Sequence, residues 1–279
     1  MSKWFLPIRI ILLFLIALSL LASFSWSEGE VSTRIVLLRN VAAIFLGQWI
    51  MAWGLEKLKL STPSRWEHRV ITGLILFLLF DDSLSWWVFP IVGAVTELLQ
   101  RLIRIPGGPL FNPAALGALV MSIFGYYPSW WGTSFEPRLT LPALDQNGIS
   151  IAAILTLIIA GYVAYKYKKL PVSLALIIGF SISYFFIIGF NPLFLILEGT
   201  LLFFALVMAS EPKTSPNLPQ EQYIFGALVG ALIPIGIHFQ FPEAFLGALL
   251  VGNLYTGRRF LKNLFQPSSA PTTSSATPA

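Results

Sequence analysis

The chain has 279 residues, of which 56% are hydrophobic and only 11% are charged, and its mean hydropathy is +0.76. Soluble domains carry about 25% charged residues, so this composition excludes an ordinary soluble domain, which would leave too much apolar surface in water. Cysteine is absent and there are only two histidines. This excludes disulfides and thiolate nucleophiles, and it predicts no metal or haem centre within the chain.

Ten apolar segments follow one another along the sequence. A helix needs about 20 apolar residues to cross the hydrocarbon core of a bilayer. We therefore predict an all-α, polytopic integral membrane protein of about ten transmembrane helices. The third segment is half-length because its apolar run ends at Asp81 and Asp82. The candidate spans are 4–24, 36–54, 70–80, 84–100, 109–126, 149–165, 171–189, 192–209, 223–240 and 243–257.

The positions of lysine and arginine fit this count. Cytoplasmic loops of membrane proteins are enriched in these two residues. With a cytoplasmic N-terminus, every lysine and arginine except Arg34, Arg39 and Arg138 falls in a cytoplasmic segment. Ten crossings place both termini in the cytoplasm. The first 25 residues also fit a signal peptide, but no small-x-small cleavage site follows them, and we expect a retained span.

The sequence contains a candidate internal repeat. The string AALGALV at 114–120 is similar to AFLGALL at 244–250, roughly 130 residues later. Upstream, an apolar run leads into acidic residues at 72–82 and again at 199–212. Five spans per copy would place the copies in opposite orientations, as in many transporters, although Leu/Gly/Ala strings also match by chance in membrane proteins. The predicted division is repeat one at 1–126, an extracytoplasmic loop at 127–148, repeat two at 149–262 and a low-complexity, disordered tail at 263–279.

The first candidate site is the segment GGPLFNPAALGALV at 107–120. Gly107 and Gly108 precede a proline, and Asn112 before Pro113 fits an N-cap followed by proline in the first helical turn. The N–H groups and the positive end of the helix dipole favour an anion or a carbonyl-rich ring. A helix start that binds no ligand has the same pattern.

The second candidate site is the segment MASEPKTSPNLPQEQ at 208–222. Glu211 stands at a helix end, and three prolines after it make the loop rigid. Thr214 and Ser215 add hydroxyl groups. The segment fits a gate or a ligand-contacting loop, and it equally fits a solvated cytoplasmic connector.

Acidic residues near apolar runs are candidates for an ion path. Asp81 and Asp82, together with Glu211, are assigned to it because ionisable side chains at membrane depth are costly and usually functional. If the half-length helix opens at the headgroup level, the two aspartates are ordinary. Trp86 and Trp87, together with Trp130 and Trp131, are predicted as interfacial belt residues. Other polar residues in or near spans are predicted to pack helices, namely Glu97, Glu198 and Asn253.

Five segments resemble one membrane-protein family. FNPAALG, ITGLILFLLF, SEPKTSP followed by IFGALVGAL, KKLPVSLALIIGF and PEAFLGALLVGN all lie within residues 66–262. They resemble the NqrB/RnfD family, whose members are membrane components of the sodium-translocating NADH:quinone oxidoreductase and of the Rnf electron-transport complex. The resemblance implies ten helices in inverted repeats, a bound flavin, and electron transfer coupled to sodium or proton movement. It also implies partner membrane subunits and a prokaryotic-type cytoplasmic membrane.

The sequence departs from that family at the flavin attachment motif. Family members carry flavin mononucleotide on the threonine of a Ser-Gly-Ala-Thr motif, which is absent from the corresponding interval at 132–150. Thr140 is the nearest candidate there. The resemblance then implies a non-covalent flavin, either flavin mononucleotide or riboflavin, around Asn112 and Thr214. The other interpretation is a flavin-free transporter or channel of the same fold.

Overall fold

The computed structural model describes residues 7–26, 31–60, 66–106, 108–133, 138–139 and 149–265, and these residues are predominantly helical. The helices are α1 Pro7–Trp26, α2 Val31–Lys57, α3 Trp66–Leu79, α4 Val88–Leu102, α5 Pro113–Ile123, α6 Ile151–Leu155, α7 Gly161–Lys166, α8 Leu170–Ile188, α9 Leu193–Glu198, α10 Thr200–Phe203, α11 Pro219–His238 and α12 Ala244–Phe265. A π-helical turn at Thr156–Ala160 joins α6 to α7, and another at Phe204–Met208 follows α10. Two short antiparallel strand pairs join β1 Arg104–Ile105 to β2 Gly108–Pro109 and β3 Arg138–Leu139 to β4 Ile149–Ser150.

Four helices in the described part of the chain are long and apolar enough to cross a membrane. They occupy Pro7–Ser25, Thr33–Lys57, Leu170–Ile188 and Pro219–His238. Their outer surfaces expose large apolar side chains such as Leu13, Trp49 and Phe186. Burying such side chains away from water is favourable, so these surfaces indicate association with a membrane. The predicted class of helical membrane protein is confirmed at this level.

Two short helical segments form the centre of the molecule: α3, and α10 together with the π-helical turn that follows it. α3 has 14 residues, about 21 Å at 1.5 Å per residue, which is less than the thickness of a bilayer core. It ends at Leu79, just before the two aspartates, as the apolar run predicts. The side chains from Thr72 to Leu79 and from Leu201 to Ala209 are all buried. The longer helices therefore surround these two segments.

The predicted continuous segment at 192–209 is interrupted in the structure. Gly199 separates α9 from α10 and has φ +113°, in the region that favours glycine. A Cβ on this residue would lie 2.7 Å from the backbone oxygen of Thr133. The break therefore depends on a close contact with the 3₁₀ turn Trp131–Thr133.

Glycines bring two pairs of long helices into close contact. A Cβ on Gly47 of α2 would overlap the backbone of Pro90 in α4, and one on Gly93 would overlap that of Ile44. In the same way, a Cβ on Gly226 or Gly230 of α11 would overlap backbone atoms of α8. Small residues at such positions let helix backbones approach closely. The pairs α2–α4 and α8–α11 are thus fixed by their glycines.

Trp131 corrects one prediction made from the sequence. It is 4% exposed, so it is not an interfacial belt residue. Its indole Nε1 donates hydrogen bonds to the carbonyl oxygens of Phe77, at 2.7 Å, and Phe80, at 3.0 Å. The last carbonyl groups of a helix lack intrahelical hydrogen-bond donors. The indole N–H of Trp131 supplies such a donor at the end of α3. Trp130 is partly buried as well, because it packs on Phe204 and Phe245.

The first and last described residues lie in helices α1 and α12. α12 extends to Phe265, whereas repeat two is predicted to end at 262. The tail from 266 to 279 lies outside the described residues. At the other end of the chain, α1 contributes Leu15, Leu18 and Ala22 to the core, and it packs on α3 and the turn at Trp131–Thr133.

Candidate functional site

A buried polar network joins the two candidate segments predicted from the sequence. Asn112 Nδ2 donates to Glu211 Oε2 at 2.9 Å and to the Met208 carbonyl at 3.1 Å. Thr214 Oγ1 donates to the same Glu211 oxygen at 3.2 Å. Asn253, on α12, accepts from the Asn112 backbone N–H at 2.8 Å and donates to the Thr214 carbonyl at 3.1 Å. The network therefore ties together α5, the loop at 209–218 and α12.

Local sequence explains how Asn112 and Glu211 reach these positions. Asn112 is the N-cap of α5, since its Oδ1 accepts from the Ala115 N–H at 3.0 Å and proline follows it. Glu211 follows the π-helical turn that ends at Met208. Its backbone carbonyl accepts the Ser215 hydroxyl at 2.7 Å, which closes a tight turn. The predicted N-cap role of Asn112 is thus confirmed.

A buried lysine fixes the other half of this loop. Lys169 lies just before α8 and is 2% exposed. Its Nζ donates to the carbonyl oxygens of Ser215 and Pro216, at 3.1 and 2.6 Å, and to Asn217 Oδ1 at 3.0 Å. An ammonium group has three donors, and all three have an acceptor here. Burial lowers the pKa of Lys169 to about 8, so the side chain is mainly protonated at neutral pH.

Glu211 is the titratable group at the centre of the network. Burial raises the pKa of its carboxyl to about 7, against the smaller lowering effects of the Thr214 hydrogen bond and the positive charge of Lys213. A carboxyl group with a pKa near neutrality exchanges a proton readily under physiological conditions. Glu211 is therefore suited to hold or release one proton.

A cavity of about 400 Å³ opens beside this carboxyl group. Apolar side chains from α1, α3, α7 and the π-helical turn after α10 form its walls, including Ile11, Ile71, Ile75, Val163 and Val207. Polar residues gather at one end, namely His68, Thr72, Asn112, Ser210, Glu211 and Lys213. We call it the main cavity. Small-molecule sites have this combination of apolar walls and a few polar groups, and volumes of about 300–1,000 Å³.

A second cavity of about 50 Å³ lies beside the polar end. It shares five lining residues with the main cavity: His68, Thr72, Pro113, Glu211 and Lys213. Its remaining walls are formed by Arg69, Gln100, Arg101, Arg104 and Pro109. We call it the basic cavity, because Arg69, Arg101, Arg104 and Lys213 line it.

An ion cluster stands behind the basic cavity. Glu97 is fully buried and accepts from Arg101 Nε at 2.6 Å, while Arg69 Nε lies 3.6 Å from the same oxygen. Gln100 donates to the other oxygen of Glu97. Arg101 also reaches Glu56 at 3.1 Å. These contacts join α2, α3 and α4, as expected for a polar residue that packs helices, and buried charges of this kind require their partners.

The other predicted site residues do not line the main cavity or fall outside the described residues. Gly108 is in β2, where a Cβ would lie 3.8 Å from the Lys213 side chain, whereas Gly107 and Thr140 fall outside the described residues. Ser215 is in the loop but not in the cavity wall.

The two aspartates of the predicted ion path lie at the end of α3 opposite His68. Asp81 accepts a hydrogen bond from the Ser83 backbone N–H at 3.0 Å. Glu211, the third member, is therefore at the other end of the central short helix. The structure does not bring the three carboxylates together.

Several residues of the site were not predicted. Lys169 had no signal of its own, because its partners lie 46–48 residues away in the sequence. His68 was not singled out as a site residue either. Lys213 and the lining arginines were interpreted only as markers of membrane topology. No protein-family model matches this chain.

Proposed function

We propose that this chain is a multi-pass membrane component of a redox-driven, ion-translocating complex similar to the Rnf and sodium-translocating NADH:quinone oxidoreductase assemblies. In this proposal the main cavity holds a flavin without a covalent bond, and other membrane subunits exchange electrons with it. The observation that carries the proposal is the main cavity itself, which is lined by residues from three of the segments that resemble the family.

The residues of the main cavity fit a flavin in size and polarity. A planar ring system needs apolar walls on its faces, and Ile71, Ile75 and Val207 supply them. Its edge needs a small number of hydrogen-bonding groups, and Asn112 and Glu211 stand at the polar end. Bound flavin would supply the redox chemistry. The chain would exclude water from the ring and hold a proton at the carboxyl of Glu211.

Internal symmetry supports the proposed ten spans and inverted repeats. Gly47 and Gly93 in the pair α2–α4 correspond to Gly179 and Gly226 in the pair α8–α11, each roughly 130 residues later in the sequence. In both halves the pair of close-packed helices flanks a short buried segment. The same offset relates Asp81 to Glu211, which follow the two short segments. This arrangement is typical of inverted-repeat membrane proteins.

A transporter without flavin is the second candidate function. It is favoured by the position of Glu211, a buried carboxyl group beside a cavity and next to an irregular helix end. Ionisable groups at such helix breaks form coupling-ion sites in secondary transporters. In this case Glu211 would bind the coupling proton, and the main cavity would bind the solute.

Copurification from membranes tests the proposed function. We expect the tagged chain, extracted in mild detergent from its native membrane, to carry flavin and to bring redox subunits with it. A flavin-free protein that copurifies with no redox partner contradicts the proposal. Solute or proton flux into liposomes without an electron donor, abolished in Glu211→Gln, would then support the transporter.

A further inference from the structure

The basic cavity has the chemistry of an anion site. Its volume leaves room for a few heavy atoms. Four cationic side chains line it, and Gln100 and Thr72 add further polar groups. The one acidic residue in its wall is Glu211, whose Oε2 already accepts two hydrogen bonds from the network. Clusters of arginine and lysine of this kind are the usual partners of phosphate oxygens.

Cationic side chains outnumber carboxylates in the wall of this cavity. Arg69 and Arg101 also contact the carboxylates of Glu97 and Glu56, which hold them in the ion cluster. Arg104 and Lys213 stand at the exposed edge of the cavity, away from that cluster. An anion would therefore rest between a rigid inner pair of arginines and an exposed outer pair of basic residues.

The two cavities share five lining residues, so the largely apolar main cavity adjoins the cationic basic cavity. A ligand that fills both must carry a negative group at one end of an apolar body. We propose that the basic cavity is a phosphate subsite, and that the ligand of the main cavity is a phosphorylated amphipathic molecule. The inference rests on the proposed function, in which that molecule is flavin mononucleotide rather than riboflavin. The headgroup of an anionic lipid such as phosphatidic acid offers the same chemistry.

Binding measurements on the full-length chain in detergent test this inference. Flavin mononucleotide and riboflavin are titrated separately into flavin-depleted protein, and binding is followed by quenching of flavin fluorescence. The wild-type chain should bind flavin mononucleotide about tenfold more tightly than riboflavin. Raising the salt concentration should weaken the binding of flavin mononucleotide but not that of riboflavin, because the outer pair of basic residues is exposed to the solvent.

Variants of the exposed pair keep the test independent of folding. Arg104→Gln and Lys213→Gln should each weaken binding of flavin mononucleotide about tenfold. Arg104→Gln should also leave riboflavin binding unchanged, because Arg104 lines only the basic cavity. Lys166→Gln is the matched control, because Lys166 is exposed and lines neither cavity. Substitution of Arg69 or Arg101 is avoided, since it would leave Glu97 buried without its partners.

The outcomes separate the subsite from the proposed function. Equal affinity for the two flavins in the wild-type chain overturns the phosphate subsite and leaves the flavin proposal intact. If neither flavin binds, native mass spectrometry compares phosphatidic acid with diacylglycerol. Selective retention of phosphatidic acid, lost in Arg104→Gln, supports the subsite with a lipid as its ligand and contradicts the flavin proposal. Retention of neither lipid overturns both.

Discussion

The structure controls the protonation of Glu211 through the burial of its carboxyl group. Its pKa is raised to about 7 by burial, above the ordinary value of 4.5. Between these two pH values the folded state binds more protons than the unfolded state, so stability falls as pH rises from about 4.5 to about 7. Above pH 7 the full cost, about 3 kcal/mol, is present.

Thermal unfolding in detergent checks this linkage. The Tm of the wild-type chain should fall between pH 5 and pH 8, and Glu211→Gln should make this fall smaller because its amide does not titrate. Glu67→Gln, in the first turn of α3 and outside both cavities, is the control and should keep the wild-type profile. A Glu211→Gln profile that still follows the wild-type slope would show that another group is responsible.

Lys169 makes a second prediction at the scale of single residues. Lys169→Met removes the donor from three acceptors at 215–217 and leaves them buried. Because hydrogen bonds to a charged group are stronger than neutral ones, we expect the free energy of unfolding to fall by about 3 kcal/mol, which corresponds to about 10 °C in Tm. Lys168→Met, at the exposed neighbouring position, should change Tm little. Equal Tm values for the two variants would contradict the anchoring role.

Sequence reasoning found half of this network. Asn112, Glu211 and Thr214 were predicted because prolines and helix-capping patterns surround them. Lys169 was not, since its three acceptors lie 46–48 residues away and only the fold brings them together. Asp81 and Glu211 were assigned to one ion path because both are acidic residues near apolar runs. The fold places them at opposite ends of α3, which the sequence pattern does not show.

At the scale of elements, the closeness of α2 and α4 depends on Gly47. Gly47→Ala places a methyl group against the Pro90 backbone, which has no flexible end that moves aside. We expect the helices to separate and Tm to fall by several degrees. Gly54→Ala is the control on the same helix, because its added Cβ meets nothing within 4 Å.

The control should be neutral or stabilising, since alanine favours helix over glycine by up to about 1 kcal/mol. Thermal unfolding of both purified variants gives the comparison. If Gly47→Ala is as stable as Gly54→Ala, close packing through glycine does not fix this helix pair.

Hydropathy predicted where helices lie but not where they are irregular. The apolar runs overlap the observed helices because an apolar segment must be buried in lipid or protein wherever it occurs. The break at Gly199 and the two π-helical turns depend on contacts with other elements, such as the Thr133 carbonyl. Trp131 was misassigned for a similar reason: tryptophan at a span end fits both a membrane interface and a buried helix cap.

For the whole molecule, the proposed ten crossings make a topological prediction. The chain has no native cysteine, so a single introduced cysteine reports its own location. Lys166→Cys and Asp82→Cys lie on opposite sides of the membrane in the proposed topology. A membrane-impermeant thiol reagent added to intact cells should label Asp82→Cys and leave Lys166→Cys unlabelled until the cells are opened.

Labelling of both positions from the same side would contradict the ten-span topology. This topology was predicted from the distribution of basic residues alone. That distribution indicates the orientation of each span but not which helices pack together. Which helices pair, and where the main cavity opens, required the structure, because the glycine contacts and the cavity walls each combine residues distant in the chain.

A flavin in the main cavity can be detected in the absorbance and fluorescence spectrum of the purified protein, and this is the measurement that we would make first. Spectra are recorded before and after denaturation in SDS, and the denatured chain is then examined on a gel for fluorescence. We expect flavin bands in the folded protein and release of the flavin on denaturation. A colourless protein, purified with its native membrane partners, would contradict the flavin proposal and favour the transporter.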